Sequence, residues 1–164
     1  LSGQIVYNLP VKDYTSIEAL TDAIADSIYR NGYIDGAYIP STKTVIHEGL
    51  TNAIYHGALG VSSVMREQEG GAALFMAEIH KRSLYAEFKR QYVLVVLTLD
   101  KERCLVTIED GGLGFDWQAV MNKEYTADDF LKPHGRGVML MKGLMGSDVY
   151  YNKRGDVLNI VFRK

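Results

Sequence analysis

The chain has 164 residues, of which 47% are hydrophobic and 23% are charged, so it can form a globular domain with a buried core. Its net charge of −2 gives no electrostatic reason to expect a nucleic acid or a membrane as a partner. The single Cys104 excludes an internal disulfide and is typical of a reducing compartment, so we expect a cytoplasmic protein.

The first third of the chain predicts one strand and two helices. Residues 4–9 predict a strand that ends at Pro10. Apolar residues at helical spacing then predict a first helix over about 15–32 and a second helix from Pro40 to Gly57.

The middle of the chain predicts an irregular segment followed by a hairpin. Residues 58–73 are small, polar and rich in glycine, which favours a loop, and residues 74–90 have helical spacing. Together, residues 58–91 are long enough to be an insertion with its own role. Residues 92–99 and 104–109 are apolar and β-branched, and they predict two antiparallel strands.

The last third predicts a mobile segment over 116–134, a buried helix over 138–145 and a closing hairpin from 148–152 and 157–162. Groups of helices and antiparallel strands favour an α+β sandwich, with a mixed, mostly antiparallel sheet and helices on one face. We find no composition shift that marks a boundary, so we expect one domain over residues 1–164.

Residues 47–57 (HEGLTNAIYHG) form the first of three polar motifs, with Glu48, Asn52 and His56 at i, i+4 and i+8 on one helix face. Mg²⁺ takes few protein oxygens and keeps its waters, so the Asn52 amide suits it. Glu48 could take a proton from an attacking hydroxyl as a general base. A solvated helix edge with a Glu–Asn hydrogen bond explains this motif equally well when it is considered alone.

The second motif, residues 110–115 (DGGLGF), follows the end of a predicted strand. The Asp110 carboxylate only accepts hydrogen bonds, and the exocyclic amine of adenine donates them. Gly112 and Gly114 would let the backbone approach the ring, since neither has a Cβ atom. Considered alone, these residues are explained more readily as an ordinary hairpin turn.

The third motif, Gly135-Arg136-Gly137, directly precedes a predicted helix. The free N–H groups of a first helical turn bind phosphates readily, and Arg136 and Lys132 could add positive charge there. The motif is neither a P-loop nor a Rossmann fingerprint, because the other residues of those patterns are absent.

In their order and spacing, the three motifs resemble the GHKL ATPase superfamily of gyrase, Hsp90, MutL, histidine kinases and bacterial anti-sigma-factor serine kinases. Residues 43–57 are most similar to the anti-sigma serine kinases. Residues 114–117 and 133–141 are similar to the version that is fused to a PP2C-type phosphatase domain in some response regulators. Since the chain begins at Leu1 rather than Met, we expect it to be the C-terminal part of a longer protein with fused phosphatase or receiver domains.

The resemblance implies a GHKL-type (Bergerat) fold with ATP and Mg²⁺ as cofactors. In that family the position of Asn52 holds Mg²⁺, and the position of Glu48 activates a substrate serine hydroxyl. The position of Asp110 recognises the adenine amine, and Gly112 and Gly114 would make room for the ring.

Gly135 and Gly137 would close over the phosphates, and residues 116–134 would form the ATP lid. The chain departs from the family pattern at two points. A threonine that helps to hold adenine in many members corresponds here to Asn159. The lid arginine of the smaller kinases has no clear counterpart in this chain. Arg136 and Lys132 are the candidates for its role.

The implied function is an ATP-dependent protein-serine/threonine kinase that phosphorylates a STAS-type anti-sigma-factor antagonist in a bacterial partner-switching pathway. A sigma or anti-sigma factor is a further candidate partner, as is a second copy of the chain. Two alternatives stay open, namely a nucleotide-binding anti-sigma or adaptor module without phosphotransfer and the catalytic domain of a histidine kinase. Glu48 favours a kinase over an adaptor, because a protein that only binds nucleotide needs no base beside Mg²⁺.

Overall fold

The computed structural model describes residues 2–132 and 136–164. Its core element is a five-stranded sheet in the order β1-β2-β3-β5-β4. The strands are β1 (Gly3–Pro10), β2 (Tyr92–Leu99), β3 (Arg103–Glu109), β4 (Val149–Tyr151) and β5 (Val157–Arg163). Each neighbouring pair of strands is antiparallel. The predicted α+β class is therefore confirmed.

The helices lie between these strands in the chain. They are α1 (Ile17–Arg30), α2 (Ile39–Thr51), α3 (Gly71–Ser83), α4 (Trp117–Asn122), α5 (Ala127–Leu131) and α6 (Gly137–Met145). Short 3-10 helices span Val11–Ser16, Gly36–Tyr38, Ser63–Glu67 and Gly146–Asp148. Within the described ranges, no helix has the length and apolar character needed to cross a membrane.

The hydrophobic core lies between one face of the sheet and helices α1 and α2. Along β3, Cys104, Val106 and Ile108 are buried, whereas the alternate residues Leu105 and Thr107 are partly exposed. Side chains alternate between the two faces of a strand, so the core lies against one face of β3. This is a two-layer arrangement, in which each fully buried Ile, Leu or Val contributes about 1.5–3 kcal/mol relative to an exposed one.

Helix α2 carries the first motif and continues beyond Thr51 as a π-helix over Asn52–Ala58. Its buried residues Val45, Ile46 and Leu50 hold it on the sheet. The amide of Leu59 donates to the carbonyl of Ile54, an i→i+5 bond of the π type. Single π turns in longer helices are common at functional sites, and this one begins at Asn52, four residues after Glu48.

The predicted insertion is more regular than its sequence suggested. Residues 58–73 contain the 3-10 helix Ser63–Glu67, although we predicted a loop there. The following helix spans Gly71–Ser83 rather than 74–90. It ends where the Ser83 hydroxyl donates to the carbonyl of His80, a local bond that competes with the helical pattern.

The segment predicted to be mobile, 116–134, contains the two short helices α4 and α5 in its described part. The Asp116 carboxylate accepts from the backbone N–H of Ala119 and caps α4. Thr126 and Asp129 form a capping box at the start of α5. Both capping signals are present in the sequence, but the helices that they begin are too short to show clear periodicity.

Candidate functional site

The three motifs meet around one cavity of about 960 Å³. It lies between α2 with its π-helical extension, the loop after β3 and the start of α6. Its volume is near the upper end of the roughly 300–1,000 Å³ that is usual for small-molecule sites. Six of the predicted site residues line it: Glu48, Asn52, Asp110, Gly114, Arg136 and Gly137.

The first and third motifs touch at Gly137, the first residue of α6. A Cβ atom at this position would overlap Oε2 of Glu48 and would lie 3.4 Å from Nδ2 of Asn52. A side chain at position 137 would therefore have to displace the Glu48 carboxylate, and glycine leaves that carboxylate in place beside the start of α6. Since a helix N-terminus carries partial positive charge, the Glu48 carboxylate lies beside a favourable electrostatic partner.

Tyr151, at the end of β4, supports Asn52 from the sheet. The tyrosine is 6% exposed and lines the cavity. Burial raises the pKa of the Tyr151 hydroxyl above its ordinary value, and a hydrogen bond with the Asn52 side chain opposes that rise. The hydroxyl is therefore neutral at physiological pH. The sequence did not point to Tyr151, because an aromatic residue in a strand reads as part of the core.

Asp110 is enclosed at the end of β3. Its Oδ1 accepts from the backbone N–H of Gly112 at 2.6 Å, and a Cβ atom at Gly57 would overlap its carboxyl group. Burial is the main cause that raises the pKa of Asp110 to about 6, with Asp156 and Glu109 adding to the rise and the Gly112 hydrogen bond opposing it. Of the described residues, none donates a hydrogen bond to Oδ2. This oxygen can accept from a ligand.

The glycines after Asp110 make room for neighbouring backbone. A Cβ atom at Gly112 would lie 2.5 Å from the carbonyl oxygen of Gly57, and Gly112 does not line the cavity. Gly114 has a φ of +79°, and a Cβ atom there would overlap the carbonyl oxygen of Arg154. The close neighbour of Gly112 is therefore the end of the π-helix, and its role in making room for a ring stays a prediction.

The turn between β4 and β5 holds the loop that carries Asp110 and Gly112. The Arg154 guanidinium donates to the carbonyl of Gly112 at 3.0 Å. Asn152 Oδ1 accepts from three backbone N–H groups of the same turn, the shortest being that of Gly155 at 2.8 Å. Asp110 also donates its own backbone N–H to the carbonyl of Asp156. These bonds tie the Asp110 loop to the β4–β5 turn.

Asn159 does not reach the cavity, which corrects its predicted role in holding adenine. It lies in β5 between Leu158 and Ile160, both of which are buried on the core face. Its own side chain therefore points to the opposite face, where Nδ2 is 3.5 Å from the carbonyl oxygen of Tyr150. Leu158 lines the cavity in its place.

Two further predicted residues are not placed at the cavity. Lys132 does not line it, and its ammonium group lies 3.0 Å from Oδ1 of Asp129. Lys123 contacts the same oxygen at 3.0 Å, and these partners hold the pKa of Asp129 well below its usual range, after the larger effect of the Thr126 backbone bond. Gly135 lies outside the described residues.

His56, the last polar residue of the first motif, lines the cavity and contacts the insertion. Its Nδ1 is 2.6 Å from the carbonyl oxygen of Val61. Because a carbonyl oxygen can only accept, Nδ1 carries the proton and donates. The insertion also contributes Ser63 and Arg66 to the cavity wall, which the motif pattern did not predict.

The donor atoms at the cavity fit a nucleotide with Mg²⁺. In the part of the chain that the structure describes, no group of three or more His, Cys, Asp or Glu side chains could enclose a metal ion. An all-protein cage is therefore not formed by these residues. A magnesium ion that keeps waters and shares phosphate oxygens needs only one or two protein ligands, and Asn52 can supply an amide oxygen.

A comparison with protein-family models agrees with this geometry. The model described as a histidine kinase-like ATPase domain matches residues 12–162, a range that includes all three motifs and the insertion. No curated protein is similar enough to count as a match. The chain therefore belongs to the histidine kinase-like ATPase domains of the GHKL superfamily and is an ATP-binding module.

Proposed function

We propose that this domain is an ATP-dependent protein-serine kinase whose substrate is a STAS-type anti-sigma-factor antagonist in a bacterial partner-switching pathway. The supporting observation is the position of Glu48, which lines the cavity one helical turn before Asn52 and beside the first residue of α6. A module that only bound nucleotide would need Asp110 and Asn52 but no carboxylate at this place. The similarity of residues 43–57 to the anti-sigma serine kinases favours serine as the acceptor.

Nucleotide recognition would begin at Asp110. Its Oδ2 would accept the hydrogen bond of the adenine amine, since Oδ1 is already bonded to Gly112. The enclosed position of this carboxylate strengthens such a bond, because few water molecules compete for it. The polyphosphate would then extend toward Asn52 and the start of α6, where N–H groups and the helix dipole favour negative charge.

Phosphoryl transfer would take place at the Glu48 end. Bound Mg²⁺ would neutralise charge on the phosphate oxygens, and Asn52 would be its protein ligand. Glu48 would take the proton of the substrate serine hydroxyl as the serine oxygen bonds to the γ-phosphorus. The bond from the γ-phosphorus to the bridging oxygen would break, and ADP would leave with that electron pair. Tyr151 would hold Asn52 in place through their hydrogen bond.

A radiolabelling assay tests this proposal. The purified domain is incubated with γ-labelled ATP, Mg²⁺ and the STAS-domain protein encoded beside it, and the labelled residue is identified. We expect label on a serine of the STAS protein. Label on a histidine would contradict the proposal in favour of a histidine kinase. A stable unlabelled complex would contradict it in favour of an adaptor.

A further inference from the structure

The insertion over residues 58–91 forms one wall of the nucleotide cavity. Its 3-10 helix Ser63–Glu67 brings Ser63 and Arg66 to the lining, where they share the cavity with Glu48 and Asp110. Both of these last residues are acidic. A cation from the insertion therefore lies in the same enclosure as the two carboxylates of the motifs.

Arg66 is held in place by a buried aromatic ring. The guanidinium carbon lies 3.9 Å from the ring centroid of Phe75, a side chain with no exposed surface. Phe75 in turn contacts the rings of Tyr55 and His56 in the π-helix, at centroid distances of 5.7 and 5.8 Å. Stacking on an aromatic face orients a guanidinium while leaving its edge N–H groups available.

The backbone around Arg66 is fixed at both ends. At the first end, the Val61 N–H donates to the carbonyl of Tyr55, and the Arg82 side chain donates to the carbonyls of Leu59 and Gly60. At the other end, Gly71 packs against the backbone of Arg66, where an added Cβ atom would lie 2.7 Å from its Cα. The position of Arg66 is therefore built into the fold.

The N–H donors of the Arg66 guanidinium are available to a ligand. Arg82, in the same insertion, is paired with Glu78 at 2.7 Å and with two carbonyls. By contrast, no residue in the described ranges forms a hydrogen bond or an ion pair with Arg66. Arg66 is partly buried and lines the cavity, and its guanidinium suits an anion there because phosphate oxygens match its planar fork.

We infer that Arg66 binds a phosphate oxygen of the nucleotide, so that the insertion supplies a cation to the cavity in addition to Arg136. This inference rests on the proposed ATP site. Lys132 of the lid segment is paired with Asp129, whereas Arg66 lines the cavity. A cation that is already held in the cavity wall loses little conformational entropy when the nucleotide binds. It can therefore contribute to affinity before any other segment closes.

Isothermal titration calorimetry of ATP and adenosine with four proteins tests the inference. These are the wild type, Arg66→Gln, Arg66→Lys and the control Arg90→Gln, which removes an exposed cation of the insertion that does not line the cavity. We expect Arg66→Gln to weaken ATP binding by roughly 10–100-fold, the effect of losing a hydrogen bond to a charged group. Adenosine binding should be unchanged, because adenosine has no phosphate. Arg66→Lys should give an intermediate loss, and Arg90→Gln none.

The outcomes separate this inference from the proposed function. Equal ATP affinity in the wild type and Arg66→Gln overturns the role of Arg66 and leaves the ATP site intact. An equal loss for ATP and adenosine also overturns it, since Arg66 would then only shape the wall. If the wild type binds neither ligand, both the inference and the ATP site fail. If circular dichroism shows that Arg66→Gln does not fold, Arg66→Lys is used in its place. The loss of ATP affinity is then compared with the loss of adenosine affinity in the same way.

Discussion

The two carboxylates of the cavity have contrasting surroundings. Asp110 is enclosed by backbone from the end of the π-helix, from Gly112 and from the β4–β5 turn. Glu48 lies beside the first residue of α6, and its neighbours are the Gly137 backbone and the Asn52 side chain. An enclosed carboxylate can select one hydrogen-bond donor, whereas a carboxylate at the start of a helix can meet an incoming substrate. This contrast supports the proposed mechanism, in which Asp110 recognises the nucleotide and Glu48 takes part in the chemistry.

Removing the Glu48 carboxylate gives the largest expected effect. Glu48→Ala should lower phosphotransfer roughly 10²–10⁴-fold, the usual share of a general base, while ATP affinity stays nearly intact. Single-turnover kinetics and calorimetry measure the two quantities. Glu18→Ala, which removes an exposed carboxylate on α1, serves as the matched control. Equal phosphotransfer in Glu48→Ala and the wild type would remove Glu48 from the mechanism.

Changing Asp110 should affect binding instead. Asp110→Asn should weaken ATP binding by about 1.5–3 kcal/mol, the value of a hydrogen bond to a charged group. Calorimetry of ATP with both proteins measures this difference. An unchanged affinity would refute the assignment of Asp110 to adenine.

Gly57→Ala should disturb the recognition end without touching a polar group. The new methyl group would overlap the Asp110 carboxyl, which is short and is held by Gly112, so overpacking should cost about 1–3 kcal/mol of unfolding free energy. ATP affinity should fall as well. Gly143→Ala is the control, because a Cβ atom there meets nothing within 4 Å, and it should stabilise α6 by up to about 1 kcal/mol. Urea unfolding that gives Gly57→Ala wild-type stability would contradict the close packing of Gly57 against Asp110.

The raised pKa of Asp110 predicts the smallest effect, which is on the free energy of unfolding. Here the Asp110→Asn variant should be more stable than the wild type, whereas Gly57→Ala should be less stable. Since the pKa is about 6 in the fold and 3.8 for an ordinary aspartate, the fold favours the neutral carboxyl. The resulting stability is fully present below pH 3.8 and is lost as the pH rises through 6. Asp110→Asn, which is neutral at every pH, should therefore be more stable than the wild type at pH 8, by about 1 kcal/mol after allowance for solvent screening.

Urea unfolding at pH 8 and pH 5 measures this difference, which should shrink at the lower pH. Lowering the pH should stabilise the wild type but weaken its binding of adenosine. Adenosine affinity should fall for the wild type as the pH drops from about 7.5 to about 5, because the ionised carboxylate is the better acceptor. It should stay constant for Asp110→Asn. A wild type that is more stable than Asp110→Asn at pH 8 would show that the carboxylate is not destabilised by burial.

The sequence predicted the parts of the site that depend on local spacing. Glu48 and Asn52 are one turn apart on a helix, so their common face follows from helix geometry alone. The antiparallel hairpins follow from alternating apolar runs and turn residues. By contrast, the role of Asn159 was wrong because a shift of one residue in a strand moves a side chain to the other face.

The contributions of Arg66 and Tyr151 could not be predicted in this way. Each depends on packing between segments that are distant in the sequence, namely the insertion against the π-helix and β4 against the same π-helix. The π-helix itself has no clear sequence signal, since its i→i+5 bonds change the spacing only over Asn52–Ala58. The glycines show a related point. The absence of a side chain indicated that another group comes close to each glycine, but only the fold shows which group it is.

The most direct test of the recognition site compares ATP with the triphosphate of a purine that lacks the 6-amino group. Calorimetry is carried out on the wild type and on Asp110→Asn. The wild type should bind ATP about tenfold or more tightly than the analogue, since only ATP can donate to Oδ2 of Asp110, and the preference should disappear in Asp110→Asn. Equal affinities of the wild type for the two triphosphates would contradict the account.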